Sequence, residues 1–199
     1  LRADRQPEFT QLDIECSFCK EEDIMKLSES LMREIFSTLI DKKIVLEFPT
    51  MTYKESMSKY GCDKPDLRNP LQLNDITSLL NNTEFKVFKD CVNDSKKRIV
   101  ALNVPGGNQI TRKYIDLYTE AVKKFGAKGL AYFKIDDIND IDSGVNSPIK
   151  KFLSIEEIKN ILDLVQPDSG DLIFFSADTH HVVNSSMSML IEKLGKDLN

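Results

Sequence analysis

Side-chain alternation along residues 9–16 constrains the fold more than any other pattern in this chain. A period of two is typical of a β-strand with one buried face. One face carries Leu12, Ile14 and Cys16, and the other carries Gln11, Asp13 and Glu15. The polar face, with Phe9 at its start, suits a polar ligand pocket, although an ordinary amphipathic strand shows the same pattern. Because the chain runs from a charged loop straight into this strand, we expect a piece of a larger domain.

Composition limits the class of protein. The chain has 199 residues, of which 41% are hydrophobic and 30% charged, so it can build one ordinary core or two small ones. Apolar runs such as 172–175 have the length of a strand and are too short to span a membrane. No signal peptide is visible, which favours a cytoplasmic protein with no membrane partner. A net charge of -5 argues against a protein that binds nucleic acid over most of its surface, because such proteins are normally basic. Arg2 and Arg5 nevertheless form a local basic pair.

The four cysteines give little sign of a metal site. Cys16 and Cys19 form a C-x-x-C, but no second C-x-x-C follows and neither histidine has the spacing of a zinc finger. Cys62 and Cys91 stand alone. We therefore expect reduced, isolated thiols and no bound metal.

Strand and helix signals in a mixed order, without a regular βαβ repeat, indicate an α+β fold with a mixed sheet and packed helices. Helices are predicted over residues 21–41, 52–61, 75–80, 111–125, 154–165 and 181–194. Strands are predicted over residues 9–16, 85–88, 99–104, 129–135 and 171–177, with a short strand or extended link at 44–48. A loop with two prolines lies at residues 63–70, and we expect the boundary between two structural units near residues 67–72.

Three further patterns have structural explanations. Gly106 and Gly107 follow a strand, but they lack the motifs of a phosphate-binding loop, so a tight strand-to-helix turn is predicted. The acidic stretch 136–142 lacks the glycine and the terminal glutamate of a calcium loop and is predicted to be solvated. His180 and His181 are predicted to be exposed residues at the start of a helix.

Several segments together resemble one protein family. Residues 2–18 resemble the second half of motif 2 of class II aminoacyl-tRNA synthetases, in the form found in bacterial-type aspartyl-tRNA synthetases. The segment after motif 2 and the insertion domain of that family are matched in order by residues 48–53, 60–68, 104–107, 125–132, 148–153, 170–175 and 193–198. Collinear matches of this kind are more specific than one short motif.

The resemblance implies a function and a set of site residues. Enzymes of this family join ATP and aspartate and pass the aminoacyl group to tRNA. By this resemblance, Gln6 and Phe9 would contact ATP, with Phe9 stacked on the adenine, and Arg2 and Arg5 would meet the tRNA. The aspartate site would contain Gln11, Asp13 and Glu15. Residues 1–67 would belong to the catalytic core and residues 68–199 to the insertion domain, which is GAD-like.

The departures from the family pattern limit this expectation. The chain lacks the motif 2 arginine that would hold the α-phosphate and the motif 3 arginine, so the isolated chain is expected to be inactive and to hold no cofactor. The parent enzyme would use ATP and Mg²⁺, form a homodimer, and charge aspartate tRNA; asparagine tRNA as a second substrate is left open. The alternative is a stand-alone, tRNA-associated GAD-like module without catalysis, since similar domains occur in tRNA-dependent amidotransferases.

Overall fold

The computed structural model describes residues 6–197, and the chain divides into two units, residues 1–50 and 51–199. In the first unit, helix α1 spans Glu21–Leu39. Its start is fixed by the backbone N–H of Lys20, which donates a hydrogen bond of 3.0 Å to the carboxylate of Asp23. Carboxylates in a first turn also complement the helix dipole. None of residues 6–50 is buried.

The strand predicted over residues 9–16 does not form: within residues 6–50 the structure contains no strand. A strand is stable only when a neighbour accepts and donates its backbone hydrogen bonds, and nothing in this range pairs with residues 9–16. The apolar side chains of Leu12 and Ile14 are consequently exposed. The predicted strand is therefore an extended segment here.

The segment 44–48 is an extended link held by α1. Arg33 donates one hydrogen bond of 2.9 Å to the carbonyl of Leu46 and another to the carbonyl of Ile44. Its guanidinium also lies over the ring of Phe48, 5.1 Å from the ring centroid. One arginine thus fixes the link, which forms no strand.

The second unit contains the sheet and the remaining helices. Its helices are α2 (Tyr53–Tyr60), α3 (Lys86–Val92), α4 (Arg112–Lys123), α5 (Ile141–Gly144), α6 (Ile155–Val165) and α7 (His180–Asp197). Its strands are β1 (Leu73–Asp75), β2 (Lys97–Val104), β3 (Ala131–Ile135), β4 (Val145–Asn146) and β5 (Leu172–Thr179). The strand order is β1-β2-β5-β3-β4, and every neighbouring pair is antiparallel. The α+β class is confirmed, whereas the expected mixed sheet is antiparallel throughout the described strands.

Both faces of the central strands are buried. One face packs on α4 and α7 through Val100, Leu102, Phe174, Tyr118 and Leu190. The other packs on α3 and α6 through Ile99, Ile173, Phe175, Phe88 and Ile161. A strand buried on both faces reads as a continuous apolar run, which is why β2 and β5 were visible in the sequence.

Two segments of the second unit differ from prediction. Residues 85–88 were predicted as a strand, but they begin α3, because Phe85, Phe88 and Cys91 recur at helical spacing and the last two are buried. Residues 75–80 were predicted as a helix. Instead, β1 ends at Asp75 and a 3-10 turn follows over Thr77–Leu80.

The glycine pair makes the predicted tight turn. Gly106 has φ of 66°, in the left-handed region that favours glycine. A Cβ on Gly107 would lie 2.8 Å from the Cβ of Leu172, so the turn fits closely against β5.

None of the described helices is both long enough and apolar enough to cross a membrane.

A boundary between a catalytic core and an insertion domain is expected between residues 67 and 68. This boundary stays a prediction. Helix α2 lies before that boundary, and within the second unit it contacts β1 and α7. Residues 51–67 thus belong to the structural unit that contains the sheet.

Candidate functional site

The segment before α1 carries most of the residues expected to bind ligand. Gln6, Phe9, Gln11, Asp13 and Glu15 all lie in it and all are exposed. The ring of Phe9 is 74% exposed, so a flat ligand could stack on it. Arg2 and Arg5, expected to contact tRNA, lie outside the described residues.

Two of these side chains are brought together. The side-chain amide of Gln11 donates a hydrogen bond of 2.6 Å to the carboxylate of Asp13. This contact agrees with the alternation, which placed the two residues on one face. Such a pair leaves the second carboxylate oxygen of Asp13 and the carbonyl of Gln11 available as acceptors for a cationic group.

Cys16 and Cys19 are joined by a disulfide, which corrects the expectation of reduced, isolated thiols. Their Cα atoms lie 6.3 Å apart, within the usual range for a disulfide. The C-x-x-C spacing was the signal in the sequence that could have indicated this disulfide. Cys62 and Cys91 are free thiols.

A loop after α2 forms one wall of a cleft in the second unit. Thr52 caps α2 by accepting a hydrogen bond of 3.1 Å from the backbone of Glu55, and Gly61 ends it with φ of 70°. The hydroxyl of Ser56 then donates a hydrogen bond of 2.7 Å to the carbonyl of Cys62. Asn69 fixes the far end of the loop, because its side-chain amide donates a hydrogen bond of 2.8 Å to the carbonyl of Ile191 in α7.

The cleft has a volume of about 710 Å³ and lies between this loop and α7. Its rim alternates in charge: Arg68 contacts Asp66 at 2.8 and 2.5 Å, and Lys196 contacts Glu192 at 2.5 Å. The side-chain hydrogen bond from Arg68 lowers the pKa of Asp66 to about 2. Arg68 and Lys196 each have a carboxylate beside them, so neither is an isolated cation.

In the acidic stretch 136–142, the carboxylate of Asp136 accepts hydrogen bonds from the side chains of Asn108 and Asn146. Asp140 accepts hydrogen bonds from the backbone of Asp142 and Ser143 and caps the short helix α5. The hydroxyl of Ser143, which donates a bond of 2.6 Å, lowers the pKa of Asp140. Among the described residues, no cluster of three or more acidic, histidine or cysteine side chains could hold a metal ion.

Asp171 is a buried carboxylate that sequence reasoning did not single out. It accepts hydrogen bonds of 2.8 Å from the side chain of Asn103 and of 2.9 and 3.0 Å from the backbone of Gly106 and Asp168. These bonds hold the turn after β2 against the start of β5. A charged residue directly before an apolar strand was the only signal in the sequence.

The histidines at the start of α7 are exposed, as predicted. The backbone N–H of His180 donates a hydrogen bond of 3.1 Å to the carbonyl of Lys96. This contact joins the start of α7 to the turn before β2, and it involves no imidazole nitrogen. The contact shown for His180 therefore supports the fold through its backbone and gives no sign of catalysis.

Comparison with known proteins identifies the second unit. The GAD domain family matches residues 88–187, about half of the chain. The aspartate–tRNA(Asp/Asn) ligases of Legionella pneumophila strains Corby, Paris and Philadelphia 1 are each 50% identical to the chain over all 199 of its residues. The chain spans 34% of the length of these relatives. The resemblance found in the separate motifs is therefore confirmed along the whole sequence, and the chain belongs to the GAD domain family.

Proposed function

We propose that this chain is part of an ATP-dependent aspartate–tRNA ligase. The observation that carries the proposal is the 50% identity over all 199 residues with ligases of that name. The similarity includes residues 1–87, which lie before the matched GAD domain. A stand-alone GAD-like module has no need of that region, so this observation disfavours the alternative.

Within this proposal, the segment 6–16 contributes one side of the substrate site. Phe9 stacks on the adenine of ATP and Gln6 contacts the nucleotide; the exposure of the Phe9 ring supports this role. The hydrogen-bonded pair of Gln11 and Asp13, with Glu15, orders the cationic groups that recognise aspartate. Arg2 and Arg5 contact the tRNA.

Among the described residues, no cluster of three or more acidic, histidine or cysteine side chains could hold a metal ion. Residues 6–16 contain no lysine or arginine, and Arg2 and Arg5 are assigned above to the tRNA. We therefore propose that the charge on the phosphates is neutralised by groups elsewhere in the parent enzyme. We propose that the parent is a cytoplasmic homodimer, and we include asparagine tRNA among its substrates because the names of the relatives do.

The proposal predicts that the 199-residue chain alone catalyses no aspartate-dependent exchange between pyrophosphate and ATP. The physical reason is that this chain lacks the motif 2 and motif 3 arginines that hold the phosphates in the family pattern. Exchange above a no-enzyme control, in a preparation free of host synthetase, would contradict the assignment as a fragment.

A chimera tests the assignment directly. The matched third of the Legionella ligase is replaced by this chain, and the chimera is expected to exchange pyrophosphate and to charge aspartate tRNA. In it, Phe9→Ala should raise the KM for ATP about 5- to 150-fold, because one stacking contact of about 1–3 kcal/mol is lost. Phe125→Ala, at another exposed phenylalanine, is the matched control. A folded chimera with no exchange activity, or equal loss of ATP and tRNA affinity in Phe9→Ala, would overturn the proposal.

A further inference from the structure

The disulfide between Cys16 and Cys19 lies beside the residues proposed to order aspartate. We propose that these two cysteines form a reversible thiol–disulfide pair that controls the conformation of the segment carrying Gln11, Asp13 and Glu15. Both cysteines are exposed. The pair is therefore open to exchange with thiols in solution.

The position of the pair gives it influence over its surroundings. Glu15 directly precedes Cys16, and Lys20, which caps the start of α1, directly follows Cys19. The covalent ring thus joins the proposed aspartate segment to a helix start with no intervening residue on either side. A change in the backbone of the ring must alter the direction in which residues 11–15 leave the helix.

Phe18, inside the ring, has a backbone conformation that we attribute to the covalent link. It has φ of 58°, in a region that costs free energy for a residue with a Cβ. Its side chain is fully exposed, so no burial of the ring compensates for this cost. Opening the disulfide removes the constraint, and we expect Phe18 to return to negative φ in the reduced state.

The exchange reaction needs only a small thiol such as glutathione. One glutathione thiolate attacks a sulfur of the pair, the sulfur–sulfur bond breaks, and the other cysteine leaves as a thiolate. A second glutathione thiolate then attacks the mixed disulfide and releases oxidised glutathione. The two cysteine thiolates take up the protons that the two glutathione thiols lost. Two electrons pass from glutathione to the pair, and the reverse sequence restores the disulfide.

The chain allows a clean measurement of this equilibrium. Trypsin cuts after Arg5 and Lys20, so one peptide, residues 6–20, carries both cysteines. The whole chain is equilibrated at a series of ratios of reduced to oxidised glutathione, quenched with acid, alkylated and analysed by mass spectrometry. Cys91 is an internal reference because it is buried and burial raises the pKa of its thiol.

We expect the peptide to convert fully between the disulfide and the doubly alkylated form across the glutathione series. A peptide that stays reduced in oxidised glutathione, or stays disulfide-bonded in excess dithiothreitol, would overturn the proposal.

Backbone NMR chemical shifts test the conformational part, because the amides of residues 11–18 donate no backbone hydrogen bond whose loss hydrogen exchange could detect. We expect the shifts of residues 11–15 to differ between the oxidised and the reduced chain. The double variant C16S/C19S should give the shifts of the reduced chain in both buffers. Identical shifts of residues 11–15 in the two redox states of the unaltered chain would show that the pair does not control this segment.

The consequence for aspartate rests on the proposed function. In the chimera with the Legionella ligase, oxidation should change the KM for aspartate, and C16S/C19S should remove that sensitivity. A chimera that is inactive in both redox states would refute the proposed function and leave the peptide result standing. An active chimera that ignores the redox state, while its peptide titrates, would refute control of the segment.

Discussion

The two units of this chain differ in how they use their apolar residues. Residues 51–197 bury them in two clusters, one on each face of the sheet. Residues 6–50 bury none, although α1 carries a regular apolar stripe. The stripe consists of Ile24, Leu27, Leu31 and Phe36, each exposed by 36–46%.

The difference shows that an amphipathic pattern predicts a helix but does not show which surface its apolar side packs against. In the second unit, strands and helices provide opposing apolar faces, so burial of each contributes roughly 25 cal/mol per Å². In the first unit, the apolar stripe of α1 stays partly exposed. A free-standing first unit should therefore be weakly ordered.

The largest expected effect is on hydrogen exchange. Amides of residues 12–18 should exchange at least about a thousandfold faster than those of residues 99–104, because local opening of the first segment breaks no buried contact. The measurement is made on the dilute chain by mass spectrometry. Equal protection in a demonstrated monomer would show that the first unit has a complete core of its own.

Truncating one leucine in each unit should lower the free energy of unfolding by different amounts. Leu102→Ala leaves a cavity between β2 and the helices α4 and α7 and should cost about 3 kcal/mol. Leu27→Ala, the same change on the exposed stripe of α1, should cost less than about 1 kcal/mol. Urea unfolding monitored by circular dichroism measures both. A similar cost for the two variants would mean that α1 is packed in solution.

A smaller effect should appear at alkaline pH in the second unit. The hydroxyl of Tyr118 donates a hydrogen bond of 3.1 Å to Asp197, and burial followed by this bond raises the pKa of Tyr118 to about 12. An unfolded tyrosine ionises near pH 10. Between about pH 10 and 12 the unfolded chain therefore loses a proton that the folded chain keeps, so the free energy of unfolding falls as pH rises.

Tyr118→Phe should make that alkaline slope shallower and cost about 1 kcal/mol near neutral pH. Part of the slope should remain, because burial also raises the pKa of the Cys91 thiol, which contributes with the same sign. Tyr114→Phe, at an exposed tyrosine on the same helix, should keep the slope and is the control. The free energy of unfolding is measured in urea at about pH 8 and about pH 11. An unchanged slope in Tyr118→Phe would assign the alkaline transition to other groups.

The smallest effect is expected at the rim of the cleft. The pKa of Asp66 lies below its unfolded value of about 3.9, so its contribution is present above about pH 4 and is lost as pH falls towards 2. Both partners of the Asp66–Arg68 pair are exposed to solvent, which screens the interaction. Asp66→Asn should therefore leave Tm at neutral pH unchanged, as should Arg68→Ala. A clear fall in Tm for both variants would show that the pair holds the loop in place.

Local patterns predicted the second unit well where the residues of one element determine where that element begins and ends. Ser154 and Glu157 form the capping box that the sequence indicated, and α6 begins and ends at the predicted residues. The apolar run 99–104 was predicted as a buried strand and lies inside β2. Residues 85–88 were harder, because a short run of mixed aromatic and charged residues fits a strand and a helix equally until its neighbours are known.

Prediction was weaker where the outcome depends on partners. Residues 9–16 have a strand pattern, but the pairing strand is not among the described residues. Gln11 and Asp13 are nevertheless joined by a hydrogen bond. Their proposed roles came from the resemblance to a family, and no periodicity could have supplied them. The disulfide was missed because C-x-x-C spacing is compatible with metal binding, redox chemistry and unrelated thiols.

The central position of β5 has a consequence for how the second unit is made. β2 pairs with β5 along its whole length, from Lys97 opposite Thr179 to Val104 opposite Leu172. β1 precedes β2 and can pair with one of its edges, but during synthesis the chain must extend through residues 105–171 before β5, the partner of the other edge, exists. The nascent chain therefore carries one unpaired edge of β2 for that interval, and unpaired strand edges favour aggregation. Closure of this long loop also makes the β2–β5 pairing the natural candidate for the slow step of folding.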